Sequence, residues 1–169
     1  FNKGAALAEK KNFDEALLAY NESLRINPNY AITWYNKGAV LEAQKNFDEA
    51  LRAYNESLRI NPNYAIAWNN KGATLVKQNN FDEAIRAYDE ALRINPDFAT
   101  AWNNRGAALA EQKNFDEAIR AFDEALRINP DFAAAWNNKG TALRKQNRLD
   151  EAIKAYDEAL RIDPNYAIA

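Results

Sequence analysis

Glycine and proline each occur five times in this 169-residue chain, and both series advance by 34: Gly4, Gly38, Gly72, Gly106 and Gly140, then Pro28, Pro62, Pro96, Pro130 and Pro164. Trp34, Trp68, Trp102 and Trp136 keep the same step. Segments 65–98 and 99–132 are identical at 27 of 34 positions, far more than shared amphipathicity produces. A chain of this length ordinarily makes one compact domain, but a fixed period of this size implies a small unit stacked on copies of itself. The chain therefore reads as a single array over 1–169. It comprises a partial unit at 1–30, complete units at 31–64, 65–98, 99–132 and 133–166, and the start of a further unit at 167–169.

Each unit reads as two helices. In 65–98, Phe81, Ala84, Ile85, Tyr88, Ala91 and Leu92 fall on one stripe of an α-helix, which is the second of the pair. Asn80 stands where an N-cap is expected and Glu83 follows three residues later, a pattern repeated at Asn12, Asn46 and Asn114. This helix is expected to stop near Asn95, because Pro96 disfavours the helical conformation of the residue before it. The first helix carries Trp68, Gly72 and Leu75 on one side, with Asn63 or Asp97 as its expected cap in successive units. Gly72 in a helix interior costs about 1 kcal/mol relative to Ala, so its recurrence calls for a packing reason. The expected reason is close approach of the second helix through Ala84 and Ala91, with Trp68 covering the apolar edge left behind. No strand-like alternation occurs.

With Trp68, Gly72, Leu75, Ala84, Tyr88, Ala91 and Pro96 at these offsets, the unit resembles the tetratricopeptide repeat, and the resemblance covers essentially the whole chain. It implies an all-α fold, a right-handed superhelical α-solenoid of antiparallel helix pairs. One position departs from the family pattern: the residue before the glycine, usually Leu, is Lys3, Lys37, Lys71, Arg105 or Lys139. At the edge of the buried stripe, such a side chain is expected to lay its aliphatic stem on apolar surface and hold its charge in water. The polar terminal helix that commonly caps such arrays is lacking, so both ends are expected to expose apolar surface.

Composition narrows the function. Cys, His and Met are absent, which removes thiolate and imidazole chemistry and disulfides; no cofactor or metal site is expected. Ser23 and Ser57 sit where other units carry Ala and read as small packing residues. Asp-Glu pairs such as Asp48-Glu49 and Asp116-Glu117 open every second helix and read as acids complementing the helix dipole. The chain is not expected to be an enzyme. Its 24 acidic and 22 basic residues argue against a nucleic-acid surface, and Asp82, Arg86, Glu90 and Arg93 read as a solvated outer stripe. Mean hydropathy is −0.63. No run approaches the roughly 18 apolar residues of a membrane helix, so a soluble chain is expected. The sequence opens at Phe1 in mid-unit and reads as an excised segment, and the lack of Cys favours a cytoplasmic over a secreted location.

The side of the first helix opposite Trp68, Gly72 and Leu75 passes through Ala73. In the tetratricopeptide architecture that side lines the concave groove. There Asn36, Asn70, Asn104 and Asn138 are expected to form a column, flanked by Tyr35, Asn69, Asn103 and Asn137 and by Lys77, Glu111 and Lys145. Each Asn amide both donates and accepts, so a column of them resembles the asparagine ladders with which some family members hold an extended peptide backbone. A carboxylate clamp of the family type is not present, since its places hold Tyr35, Ala39, Thr100 and Asn104. The expected partner is a protein or peptide held in this groove. The alternative is a designed or self-associating scaffold that stacks head-to-tail without a dedicated ligand.

Overall fold

A computed structural model describes residues 2–164. Positions 167–169, expected to open a further unit, lie outside them. The described residues form ten α-helices and no strand: α1 Asn2–Glu9, α2 Phe13–Ile26, α3 Ala31–Ala43, α4 Phe47–Ile60, α5 Ala65–Lys77, α6 Phe81–Ile94, α7 Ala99–Glu111, α8 Phe115–Ile128, α9 Ala133–Lys145 and α10 Leu149–Ile162. The all-α array of helix pairs expected from the period is the fold. It divides into two compact units, with the boundary between Ile94 and Asn95. In the first unit α1 packs on α2, α3 on α4 and α5 on α6, while α2 and α4 also pack on the first helix of the next pair and α3 touches α5. In the second unit α7 packs on α8, α9 on α10 and α8 on α9, and α7 touches α9.

Aromatic rings, not alanines, explain the helical glycines. A Cβ on Gly72 would lie 2.6 Å from Cε1 of Tyr88, and one on Gly106 would lie 2.6 Å from the same atom of Phe122. Tyr20, Tyr54 and Tyr156 face Gly4, Gly38 and Gly140 in the same way. Ala84 and Ala91 are fully buried as expected, but the group lying on the glycine is the ring one turn away from each. Tyr54, Tyr88 and Phe122 consequently sit at 0–2% exposure and form the centre of each pair.

The turns differ from expectation in their chemistry. Between α5 and α6, the N–H of Asn79 reaches the carbonyl of Val76 and that of Asn80 reaches Leu75, both at 2.9 Å, while Asn79 has φ 59°. This is a Schellman closure, and it recurs with Lys11, Lys45, Lys113 and Asn147 at positive φ, a place where Gly is the usual choice. Asn12, Asn46 and Asn114 then make no side-chain cap; their carbonyls receive the first helical N–H instead. Only Asn80 approaches the expected cap, at 3.5 Å from the N–H of Glu83.

Nor do Asn63 and Asp97 cap the first helices, whose N-cap positions hold Tyr64 and Phe98. Their backbone N–H groups are instead bound by Asn61 and Asn95 at 3.2 Å in Asx turns. Each indole then fastens the turn, because Nε1 of Trp34, Trp68, Trp102 and Trp136 donates to the carbonyl of Pro28, Pro62, Pro96 and Pro130 at 2.9 Å. Lys37, Lys71 and Lys139 place Nζ 5.0–5.2 Å from the centre of the preceding indole ring, and Arg105 sits 6.0 Å from that of Trp102. The basic residue at the leucine position thus makes a cation–π contact with the tryptophan one turn before it. Ser57, expected to be a mere packing residue, donates from its buried hydroxyl to the Ala31 carbonyl at 2.8 Å and ties α4 to α3.

Candidate peptide-binding surface

The two residues that follow each tryptophan build the surface, because the Trp–Pro hydrogen bond and the glycine–ring contact fix the rotation of each first helix. In the first unit Asn36 lies on α3 and Asn70 on α5, and in the second Asn104 lies on α7 and Asn138 on α9, all half-buried. The amides bond across neighbouring first helices. Nδ2 of Asn70 donates to the Tyr35 hydroxyl at 3.1 Å, while Oδ1 of Asn70 accepts from Asn69 at 3.2 Å. In the second unit Nδ2 of Asn138 donates to Oδ1 of Asn103 at 3.0 Å. Each rung therefore links a residue to the one 35 positions earlier, in either unit. Asn70 and Asn138 thus brace the stacking of first helices within each unit.

The flanking residues separate into two kinds. Asn69 and Asn103 are buried at 6% and 8% exposure, whereas Tyr35 and Asn137 are half-buried. Tyr35 stacks at tilted angles with Tyr54 and Tyr64, ring centres 6.0 and 5.1 Å away. Burial raises its phenol pKa; the Asn70 hydrogen bond acts against this and the Glu42 carboxylate adds to it. Lys77 does not reach freely into solvent. Its Nζ lies 2.6 Å from Oε1 of Glu42, and the other Glu42 oxygen accepts from the Tyr54 hydroxyl at 2.8 Å. Burial pushes the Tyr54 pKa far up, and the adjacent Glu42 carboxylate drives it the same way.

Glu111 and Lys145 are exposed and stand on the rim of a cavity of about 560 Å³ in the second unit. Ala107, Ala110, Phe115, Phe122 and Ala142 supply its apolar wall, and Asn138, Thr141 and Lys113 its polar edge. Among the described residues no cluster of acidic side chains could hold a metal ion, and no helix is long and apolar enough to cross a membrane. The sequence reading passed over Glu42, Tyr54, Ala110 and Phe122. The signal for them lay in aligned positions: Glu42 corresponds to Val76, Ala110 and Arg144, and Phe122 replaces the tyrosine of the other units.

Comparison with known proteins matches the chain to models described as tetratricopeptide repeat over residues 69–131, 114–167 and 29–97, and as TPR repeat over 4–45. No curated protein matches it in sequence. Among solved structures it is similar to MamA, with 25% identity and TM-score 0.89 over 97% of this chain and 96% of that one. YrrB, described as a TPR protein with an unusual peptide-binding site, shares 24% identity and TM-score 0.81 over 98% and 85%. PilF of Pseudomonas aeruginosa shares 22% and TM-score 0.86 over 95% and 73%. The last two likenesses bear on the fold alone.

Proposed function

Because the chain belongs to the tetratricopeptide repeat family, we propose that it is a protein-interaction module whose first helices hold an extended peptide segment through asparagine amides. The observation that carries this reading is the pair of amides repeated on the same helical face in each unit, Asn36 and Asn70 in one, Asn104 and Asn138 in the other. The rungs orient the Asn70 and Asn138 amides before any ligand arrives. Preorganised amides grip a peptide backbone with less loss of side-chain entropy than mobile ones. YrrB, a structure of the same fold, carries a peptide-binding site.

The test replaces Asn36, Asn70, Asn104 and Asn138 together by Ala and titrates peptides selected from a random display library against the intact chain by calorimetry. Affinity should fall about tenfold or more, ~1.4 kcal/mol, with helix content retained in circular dichroism. Unchanged affinity in a folded variant overturns the ladder as the grip.

A second reading, the self-associating scaffold, draws on α10. Ile153 and Leu160 there are 57% and 42% exposed, whereas Ile119 and Leu126 at the same positions of α8 are 7% exposed. Apolar surface of this kind suits head-to-tail stacking of chains, a contact that need not close. Light scattering across concentration distinguishes the readings: association abolished by Ile153→Lys with Leu160→Lys supports stacking, and a monomer at every concentration excludes it.

A further inference from the structure

The α3–α5 and α7–α9 pairs are built on the same plan but differ at the place where Glu42 sits. Between α3 and α5 the Glu42 side chain, 16% exposed, joins Lys77 at 2.6 Å and the Tyr54 hydroxyl at 2.8 Å. Between α7 and α9 the corresponding residues are Ala110, Lys145 and Phe122. The carboxylate is gone, its hydroxyl partner is gone, and the cavity of about 560 Å³ remains. Lys145 lines it and makes no ion pair among the described residues.

From this we infer that the α7–α9 cavity is the selective site of the surface proposed above, and that it takes a glutamate side chain of the bound peptide, seated as Glu42 is seated in the first unit. The inference rests on that peptide-binding reading. Charge complementarity favours this occupant: Lys113 and Lys145 face the cavity against the single carboxylate of Glu111. The apolar wall of Ala110, Phe115 and Phe122 covers methylenes, so the longer glutamate fits better than aspartate. Lys145 supplies the ammonium that Lys77 supplies to Glu42, and the Asn138 amide on the cavity edge offers an N–H in place of the lost tyrosine hydroxyl. The volume lies within the range of ligand pockets. Glu111 stands where α3 has Ala43, so a second acidic residue beside the first is disfavoured by like charge.

The experiment pans a random-peptide display library against the intact chain and then titrates each enriched peptide in three forms: as selected, with Glu replaced by Gln, and with its C-terminus amidated. Enriched peptides should carry an internal glutamate, lose about tenfold in affinity on Glu→Gln substitution, and be indifferent to amidation. Two variants of the chain should remove that discrimination. Lys145→Met deletes the cation, and Ala110→Glu with Phe122→Tyr rebuilds the arrangement of the first unit and closes the cavity from within. Peptides that bind through the asparagines with no glutamate preference, or with one that both variants leave intact, overturn this inference and leave the general reading standing. If binding depends on the C-terminal carboxylate, the internal glutamate is wrong as the occupant. A library from which nothing is enriched overturns both.

Discussion

At Gly106 a single methyl group decides whether two helices can meet. The ring of Phe122 lies within 2.6 Å of the Cβ that any other residue would add, and the ring is itself buried at 1% exposure with nowhere to withdraw. Gly106→Ala gains up to about 1 kcal/mol of helix propensity and is nonetheless expected to lose about 1–3 kcal/mol net through overpacking. The urea midpoint reads the result, and adding Phe122→Leu should restore part of it. Tyr54 makes a second residue-level prediction. Its pKa, like that of Tyr88, is raised above the ordinary 10.0 chiefly by burial, so the folded state keeps protons that the unfolded chain gives up. Stability from this source is whole below pH 10.0 and drains as pH climbs above it. Tyr54→Phe should therefore flatten the alkaline loss of stability seen in thermal melts between neutral pH and pH 11, while losing about 1–3 kcal/mol at neutrality with the Glu42 hydrogen bond. An alkaline slope identical to that of the parent chain would show that Tyr54 ionises as freely folded as unfolded.

The helices were legible from residue types and spacing, because the 34-residue period displays the apolar stripes of α4, α6, α8 and α10 as near copies. Their turns were not. A Schellman closure is normally announced by glycine, and here the left-handed position holds Lys45 at φ 63° and Asn79 at φ 59°. With that signal missing, the following asparagine was read as a side-chain cap, although its backbone was already engaged. A left-handed conformation costs an L-residue about 1–2 kcal/mol, so Lys45→Gly should raise the thermal stability by about 1 kcal/mol after the entropy that glycine forfeits. Asn79→Gly should gain less, since Asn tolerates this region better. Equal gains at both sites would mean the turns carry no such strain. The indole-to-proline bond was hidden for a different reason: it spans six residues from a loop into a helix, outside either periodicity.

On the scale of the molecule, repetition conceals as much as it reveals. It made the family resemblance plain, yet the chemistry that distinguishes the α3–α5 surface from the α7–α9 surface rests on the few positions where copies disagree. Ala110 and Phe122 read as conservative changes in a list of repeats; only the packed pair shows that they stand beside a cavity at the place where Glu42 and Tyr54 make a polar contact. Likewise Asn69 and Asn103 looked like surface flanks, because a helical wheel shows one helix by itself, and in the fold they are 6% and 8% exposed.

The four tryptophans have a spectroscopic consequence. Each indole donates to the proline carbonyl six residues back and carries a cation over its ring, and none lines the α7–α9 cavity. Their intrinsic fluorescence is thus a gauge of whether the turns between pairs are closed, reading four nearly equivalent chromophores at once. Emission should shift to the red as denaturant opens those turns and stay unchanged when a peptide fills the cavity, so unfolding and occupancy can be followed separately in one cuvette.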